Sequence, residues 1–269
     1  MSGKPKPAFL LARGRNPLPA DVDMPGGPYR FVRVFKHDFF AATALYASDS
    51  AKIVLKLGRR ASLFGLPLGW IGRWHARHET RLYRELADLP AVPEFIGMYG
   101  RDGFAHRYVE GHPLAKGERV ADDFFPRLQG ALETMHTRGV AYVDLEKCEN
   151  VLVGDDGAPY LIDFQIAWHW PWRRGGNLFP FGWIRRRLQR ADLYHMKKLQ
   201  RRTRPDQLDA EELAATYRKP WYVRVHGTLT RPFTLMRRWV LNRIDPERKR
   251  GERGRVYDEP AGDAAQVRK

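Results

Sequence analysis

Apolar residues alternate with polar ones, or run together with β-branched residues, in three neighbouring segments near the start of the chain. These segments are residues 29–36 (YRFVRVFK), 39–46 (FFAATALY) and 51–57 (AKIVLKL), with Asp49 and Ser50 as a turn before the third. A period of two is typical of a strand that buries one face. Three such strands in succession predict an antiparallel meander.

The period becomes helical at residues 74–87, where Leu82 and Leu86 stand four positions apart. We expect this helix to end before the Leu-Pro pair that follows, because the residue before proline resists helical angles. Two more strands are predicted at residues 94–99 and 103–110. The first half of the chain is therefore predicted to be rich in β-structure, with one helix inside it.

A second helical pattern begins near residue 122. Asp122 or Asp123 can cap its start, and Gly139 suits its exit. The members of its apolar stripe are Phe125, Leu128, Leu132 and Met135.

Two short apolar runs then flank the turn sequence GDDG, which predicts a β-hairpin over residues 151–162. Further helices are predicted at residues 184–202 and 209–217. A β-rich half followed by a mainly helical half predicts an α+β fold.

Four segments follow from these patterns. Residues 1–27, rich in Pro, Gly and Arg, are expected to form a flexible basic arm. An N-terminal lobe at 28–111 and a C-terminal lobe at 112–218 come next, and residues 219–269 form a basic, aromatic helical extension and tail.

The charge balance favours an anionic partner. Lys and Arg number 47 against 31 Asp and Glu, which gives a formal net charge of +16. The single cysteine, Cys148, excludes an intrachain disulfide framework. No apolar run approaches the roughly 20 residues that span a bilayer. We therefore expect a cytoplasmic protein, with a peripheral position at the inner membrane as an option.

Three polar side chains lie around the predicted hairpin. Asp163 directly follows its second apolar run, and a carboxylate there is costly unless it binds a cation or accepts hydrogen bonds. With Asn150 at the other end of the hairpin, it can supply oxygen ligands to one Mg²⁺. Asp144 is then left to orient or deprotonate a hydroxyl group.

This arrangement resembles the catalytic core of the protein-kinase-like superfamily, whose usual forms are HRDxxxxN and DFG. Across roughly residues 29–200 the chain is most similar to small atypical bacterial kinases of the RIO and lipopolysaccharide-kinase branches. The resemblance implies a two-lobed fold, with an antiparallel sheet and one helix in the N-terminal lobe. It also implies ATP and Mg²⁺ as cofactors.

The resemblance assigns roles in the N-terminal lobe. Lys56 matches the strand lysine that holds the ATP α and β phosphates, and Lys52, at the strand entrance, is the competitor. Glu79 is the better match for the glutamate that pairs with this lysine, because it points the same way as the apolar face of its helix. Glu85 lies well round that helix. Residues 104–110 match the hinge whose backbone binds adenine.

In the C-terminal lobe, Asp144 matches the catalytic aspartate, and Asn150 and Asp163 match the metal ligands. Lys147 resembles the lysine that neutralises the transferred phosphoryl group, with an ordinary solvated lysine as the alternative. Asp192 matches a helix aspartate that anchors the catalytic loop, with an exposed helix charge as the alternative.

The chain departs from the family pattern in four places. Tyr142 and Val143 replace the His-Arg before the catalytic aspartate, and Gln165 replaces the glycine of DFG. Residues 35–46 contain no glycine, so phosphate cover must come from other backbone or from Lys36. Asn150 lies six residues after the catalytic aspartate instead of five, and the extra residue is either bulged out or misplaces the asparagine.

The resemblance implies transfer of the ATP γ phosphate to a hydroxyl group by a monomeric enzyme. Trp and Arg are interleaved at residues 64–74, 168–187 and 221–244, which suits a membrane interface, RNA or simple core packing. The absence of an APE motif favours a sugar or lipid-linked acceptor at the inner membrane surface. The alternatives are a RIO-like protein serine/threonine kinase and a pseudokinase scaffold.

Overall fold

The computed structural model describes residues 7–63, 65–170 and 179–218. Within them the chain divides into two compact units. The first comprises residues 7–63, 65–76 and 96–105, and the second comprises residues 77–95, 106–170 and 179–218. The division falls inside a helix, whereas the sequence predicted one N-terminal lobe over residues 28–111. The predicted extension at 219–269 lies outside the described residues.

A six-stranded sheet organises the first unit, in the order β1-β2-β3-β4-β6-β5. Strands β1 to β4 are antiparallel neighbours, so the predicted meander is confirmed. Register shifts interrupt the pairing of β2 with β3 at two places. The strands are β1 (Asp21–Met24), β2 (Gly27–His37), β3 (Ala41–Ala47), β4 (Lys52–Gly58), β5 (Phe95–Tyr99) and β6 (Gly103–Arg107).

The segment expected to be a loose arm is folded from residue 7 onward. It contains a 3-10 turn at Ala8–Leu10 and strand β1, which pairs with β2. Leu10, Ala12 and Val22 are buried. These few apolar residues dock the segment on the sheet, which the abundance of Pro, Gly and Arg concealed in the sequence.

Buried aromatic and aliphatic side chains form the core on one face of the sheet, among them Tyr29, Ile53 and Leu55. Tyr46 is fully buried there, and its hydroxyl donates to the carbonyl oxygen of Pro19 at 2.8 Å. Burial, with a contribution from Tyr99, raises the pKa of Tyr46 to about 12. The hydroxyl therefore remains a protonated donor over the whole physiological range.

Helix α1 (Gly69–Glu85) begins five residues before its predicted start. Its first turn lies against the end of β4, where a side chain at Gly72 would collide with the backbone of Arg59. A side chain at Gly58 would likewise meet the backbone of Gly72. The lack of side chains at these two glycines thus allows the helix to approach the strand closely.

The second unit contains three further helices, α2 (Phe124–Thr137), α3 (Phe181–Thr203) and α4 (Ala210–Tyr217). All three were predicted, and α4 begins with a capping box between Asp209 and Glu212. Neither predicted aspartate caps α2: Asp123 makes no side-chain cap bond, and Asp122 instead pairs with Arg204 at 2.7 Å. None of the helices in the described parts of the chain has the length and apolarity needed to cross a bilayer.

Short strands connect these helices. The predicted hairpin is confirmed as β9 (Val151–Gly154) and β10 (Pro159–Leu161), joined by a turn in which Asp156 accepts from the amide of Ala158. Strand β7 (Gly111–Pro113), which the sequence did not predict, extends this pair to three strands. Strands β8 (Val140–Ala141) and β11 (Trp168–His169) form a separate pair.

Candidate active site

The loop between β8 and β9 carries the sequence VDLEKCEN and is anchored from helix α3. The carboxylate of Asp192, which is fully buried, accepts hydrogen bonds from the amides of Tyr142 at 2.8 Å and Val143 at 2.7 Å. His136 Nε2 lies 3.1 Å from the same carboxylate. The anchoring role proposed for Asp192 is therefore confirmed, and its alternative as an exposed helix charge is wrong.

Two residues of this region hold backbone angles that L-residues rarely adopt. Val143 has φ 71° and Asp163 has φ 62°. A left-handed conformation is a genuine outlier for a β-branched residue, and such strain persists only where the surroundings enforce it. Strained residues cluster at functional sites, so these two angles mark the loop and the residue after the hairpin as candidates for chemistry.

Asp144 lies between two donors. Lys147 Nζ is 2.6 Å from Asp144 Oδ2, and Asn150 Nδ2 is 2.9 Å from the same oxygen. The asparagine also donates to the backbone oxygen of Asp144 at 3.3 Å. The Asp144 side chain is 13% exposed, whereas that of Lys147 is 51% exposed. The loop thus presents one oriented carboxylate beside a solvent-facing cation.

A 3-10 turn over Cys148–Asn150 absorbs the extra residue of this loop. The amide of Asn150 donates to the carbonyl oxygen of Lys147 at 3.1 Å, which reverses the chain before β9 begins. The asparagine side chain consequently returns to Asp144 despite the spacing of six. The loop thus accommodates the extra residue in a turn, and the placement of Asn150 as a metal ligand stays a prediction.

Asp163 follows the β9–β10 hairpin, whose base is closed at Asn150. The amide of Ile162 donates to the carbonyl oxygen of Asn150 at 3.1 Å. Because the amide nitrogen of Asn150 points at Asp144, its Oδ1 is the atom left for a cation. The described residues include no group of three or more His, Cys, Asp or Glu that could hold a metal. A Mg²⁺ held by Asn150 and Asp163 would therefore need phosphate oxygens to complete its shell.

The tyrosine that replaces the expected histidine joins the loop around Asp144 to the hairpin. The Tyr142 hydroxyl donates to the carbonyl oxygens of Ile162 and, at 3.3 Å, of Asn150. Burial, reinforced by the charges of Asp163 and Asp144, raises the pKa of Tyr142 well above its usual value. The phenol therefore stays a neutral donor and fixes the residue that precedes Asp163.

An aromatic column runs through this unit from the loop to helix α1. The Phe164 ring lies edge-on to Tyr142 and to Tyr83, with ring centroids 5.3 and 5.1 Å apart. Tyr83 in turn stacks on His106 at 5.3 Å. A second contact connects α1 to the segment after Gln165. His78 Nε2 lies 2.9 Å from the carbonyl oxygen of Ala167.

Burial agrees with the choice between the candidate glutamates. Glu79 is 1% exposed, whereas Glu85 is exposed. A buried carboxylate requires compensation by hydrogen bonds or a cation, which a solvent-facing one does not. On β4 of the first unit, Lys56 is half-buried and Lys52 is exposed at the strand entrance. The residues chosen from the sequence are thus the less exposed member of each pair.

The remaining predicted residue, Lys36, lies near the end of β2. Its Nζ is 3.2 Å from Asp38 Oδ2, and its side chain is 57% exposed. From the sequence, the β2–β3 hairpin that carries it is the segment expected to replace the glycine-rich loop of the family pattern. Lys36 therefore faces solvent beside the turn, and its role towards phosphate stays a prediction.

The aromatic column is the part of the site that the sequence did not predict. Tyr83 follows Glu79 by four residues, so it lies on the same helix face, and this spacing was the available signal. The hydroxyl role of Tyr142 had no such signal, because its partners are eight and twenty residues away. Only the folded chain brings them together.

No protein-family model and no curated protein matches the chain. Among solved structures, it is similar to the Rio2 kinase–ADP/Mg²⁺–phosphoaspartate complex from Chaetomium thermophilum. The two are 16% identical, the TM-score is 0.51, and the match covers 73% of this chain and 62% of that one. A second Rio2 kinase structure from the same organism is 17% identical, with a TM-score of 0.48 and coverage of 61% and 54%.

The chain spans less than two thirds of the length of these Rio2 structures. At this identity the likeness concerns the fold. The sheet of the first unit and the helices of the second agree with it, as does the expectation from the sequence. The chain therefore has the two-lobed α+β fold of protein-kinase-like proteins.

Proposed function

We propose that the protein is an ATP-dependent phosphotransferase that moves the γ phosphate of ATP to a hydroxyl acceptor. The observation that carries this proposal is the loop around Asp144, whose carboxylate is held by Lys147 and Asn150 while Asp192 fixes the backbone. Positioning and charge neutralisation are the main contributions of a protein to phosphoryl transfer. A pinned loop that carries one carboxylate and one cation supplies both.

The chemistry assigned to these residues is an in-line displacement. Asp144 orients the acceptor hydroxyl and takes its proton as the new oxygen–phosphorus bond forms. The bond between the γ phosphorus and the β–γ bridging oxygen breaks, and ADP leaves with that electron pair. Lys147, freed from its pair with Asp144 by the incoming acceptor, neutralises the phosphoryl group in transit.

The nucleotide roles follow the family pattern. Asn150 and Asp163 would hold Mg²⁺, which when bound neutralises the charge of the β and γ phosphates. Lys56 is assigned to the α and β phosphates, and Lys36 offers a further cation. The Rio2 neighbour, which was solved with ADP and Mg²⁺, supports these cofactors by analogy.

The replacement of Asp163 by Asn tests the proposal. Phosphate release or transfer from labelled Mg²⁺-ATP is expected to fall about 100-fold or more, because one carboxylate ligand of the metal is lost. Asp155→Asn, in the exposed turn of the same hairpin, is the matched control and should leave turnover unchanged. Circular dichroism of both variants verifies that the fold persists.

A pseudokinase scaffold predicts different results. Nucleotide binding would then be weak or independent of metal, and Lys56→Met would leave the cellular phenotype unchanged. Equal turnover in the parent and Asp163→Asn would contradict the phosphotransferase assignment.

Two acceptor classes are supported by different observations. Exposed tryptophans on α1, Trp70 at 58% and Trp74 at 56%, favour a sugar or lipid-linked acceptor at a membrane surface. The likeness of the fold to a Rio2 kinase favours the alternative, a RIO-like protein serine/threonine kinase. Labelled ATP, incubated with the protein and either a cell-envelope extract or a soluble protein extract, separates the two. Label in the lipid or glycan fraction selects the first class, and label in protein selects the second.

A further inference from the structure

The β2–β3 hairpin turns at Asp38, Phe39 and Phe40 without a glycine, and other parts of the first unit hold this turn in place. We propose that Arg59 and the N-terminal segment, residues 7–16, form a brace that keeps the hairpin in one conformation. The hairpin then offers the ATP phosphates a preformed cover instead of a mobile glycine loop. This inference rests on the proposed function, because it assigns the hairpin to the nucleotide.

The turn is first closed by its own aspartate. Asp38 Oδ1 accepts from the amides of Phe40 at 2.8 Å and Ala41 at 3.0 Å, and the Asp38 amide donates to the carbonyl oxygen of Ala41. Burial would raise the pKa of Asp38, but Lys36 and these two amides outweigh it and hold the pKa below its usual value. The carboxylate is thus charged at neutral pH and fixes the backbone where the family uses glycine.

The N-terminal segment holds the turn from one side. The amide of Ala12 donates to the carbonyl oxygen of Asp38 at 2.7 Å, and the amide of Arg13 donates to His37 Nε2 at 3.2 Å. Leu10 and Ala12 are buried, so the segment packs into the first unit and does not lie loosely on its surface. Arg13 is itself tied to the buried carboxylate of Asp102 at 2.7 Å.

Arg59 holds the turn from behind. Its side chain is fully buried, and Nη1 donates to the carbonyl oxygen of Phe39 at 2.9 Å. Nη2 donates to the carbonyl oxygens of Phe9 at 3.0 Å and Ser62 at 3.4 Å. The guanidinium carbon lies 3.9 Å from the centre of the Phe39 ring. One cation therefore links the N-terminal segment, the hairpin and the residues after β4.

Burial of the Arg59 guanidinium without a carboxylate costs free energy, so other contacts must compensate for it. No carboxylate pairs with Arg59 in the described part of the chain, Nε has no hydrogen-bond partner there, and burial lowers the pKa of the group. A buried cation is normally paired. Carbonyl oxygens and one aromatic face are its compensation here, and only the braced arrangement of the three segments brings them together.

Helix α1 closes the remaining side of the turn. The Phe40 ring lies edge-on to His75 at 5.7 Å and to Phe39 at 5.1 Å. The hairpin is therefore in contact with the N-terminal segment, with Arg59 and with α1. A loop so held loses little conformational entropy when a ligand binds.

Arg59→Gln tests the brace, with Arg101→Gln as the matched control. Arg59 is a positioning residue, so the KM for ATP should rise and kcat should change little. If the variant hairpin holds its ATP-binding conformation only about a tenth of the time, the KM for ATP rises about tenfold. Hydrogen exchange at the amides of residues 38–41 should accelerate at least as strongly, because the open fraction of the hairpin rises from a minor to a major share. Arg101 is exposed in the β5–β6 turn, and its replacement should change neither quantity.

Phe39→Leu provides a milder variant, should the buried Arg59→Gln fail to fold. It removes the ring from the guanidinium and keeps the carbonyl acceptor. An increase in KM and in hairpin exchange over the parent protein supports the brace, and it should be smaller than that of Arg59→Gln where that variant folds. Unchanged exchange and KM in the folded variant would overturn it, and so would a fall in kcat at constant exchange. If the variants exchange faster at the hairpin but the parent protein binds no ATP, the proposed function fails and the mechanical role of Arg59 stands.

Discussion

Asp192 provides both acceptors for the two amides that precede Asp144, and it does so from a fully buried position. The amide of Val143 belongs to a residue with a left-handed backbone, which the loop can hold only while this acceptor is present. The orientation of Asp144 therefore depends on a residue that never contacts a substrate.

Asp192→Asn should destabilise the protein and loosen the backbone at Tyr142 and Val143. One carboxylate oxygen becomes an NH₂ group that faces an amide donor, so a charge-assisted hydrogen bond is lost and a buried N–H is left without an acceptor. We expect a loss of about 3 kcal/mol in the free energy of unfolding. Urea denaturation measures it. In the control, Asp155→Asn, the change should stay within about 0.5 kcal/mol, and equal midpoints for the two variants would contradict the anchor.

The candidate residues differ in how far the sequence alone predicts them. Asp144, Asn150 and Asp163 follow from spacing along a single loop and hairpin, because local geometry decides where they lie. The sequence left open how a spacing of six could work, since a 3-10 turn at residues 148–150 has no strong local signature. The hydroxyl contacts of Tyr142 depend on residues brought together by folding, and no local pattern reveals them.

At the scale of elements, the aromatic column links three parts of the second unit. Three buried rings form it: Tyr83 on α1, Phe164 after the hairpin and Tyr142 in the loop. The Phe164 ring lies between the other two and contacts both. Edge-on aromatic pairs contribute about 0.5–1.5 kcal/mol beyond their buried area. The central ring should therefore couple the two outer ones energetically.

A double-mutant cycle with Tyr83→Leu and Tyr142→Leu measures this coupling. Both tyrosines pack on the Phe164 ring, so removal of one lets the ring shift and changes the cost of removing the other. We expect a coupling of about 0.5–1.5 kcal/mol in the free energy of unfolding. Tyr83→Leu combined with Tyr160→Leu, which shares no described partner with it, should be additive. Additivity in the first cycle would show that the contacts of Phe164 with Tyr83 and with Tyr142 are energetically independent.

Elements near the N-terminus show why composition misled the sequence analysis. Pro, Gly and Arg are typical of loose arms, yet residues 7–24 form a turn and a strand. The apolar residues that dock them are too few to form a periodic pattern, and their partners lie in β2 and after β4. Strands β2 to β4, with longer alternating runs, were predicted because each carries its own pattern.

At the scale of the whole molecule, a net charge of +16 combines with an exposed aromatic face at the start of α1. Leu66 is 64% exposed just before the helix, and Trp70 and Trp74, one turn apart, are both more than half exposed. Arg73 lies between them in the sequence. Tryptophan beside arginine suits the headgroup region of an acidic bilayer, where the ring is partly buried and the cation meets phosphate.

We therefore expect the full chain to co-sediment with vesicles that contain phosphatidylglycerol, and much less with neutral phosphatidylcholine vesicles. Raising the salt concentration from about 0.05 M to 0.5 M should weaken binding, because it screens the attraction between exposed charges. If each tryptophan contributes about 1 kcal/mol on partial burial, Trp70→Ser with Trp74→Ser weakens binding roughly 30-fold. Phe31→Ser, at a 40% exposed site on β2, is the control. Unchanged binding in the double variant would mean that net charge alone draws the protein to the vesicle, and an equal loss in the control would mean that the loss is not specific to the face on α1.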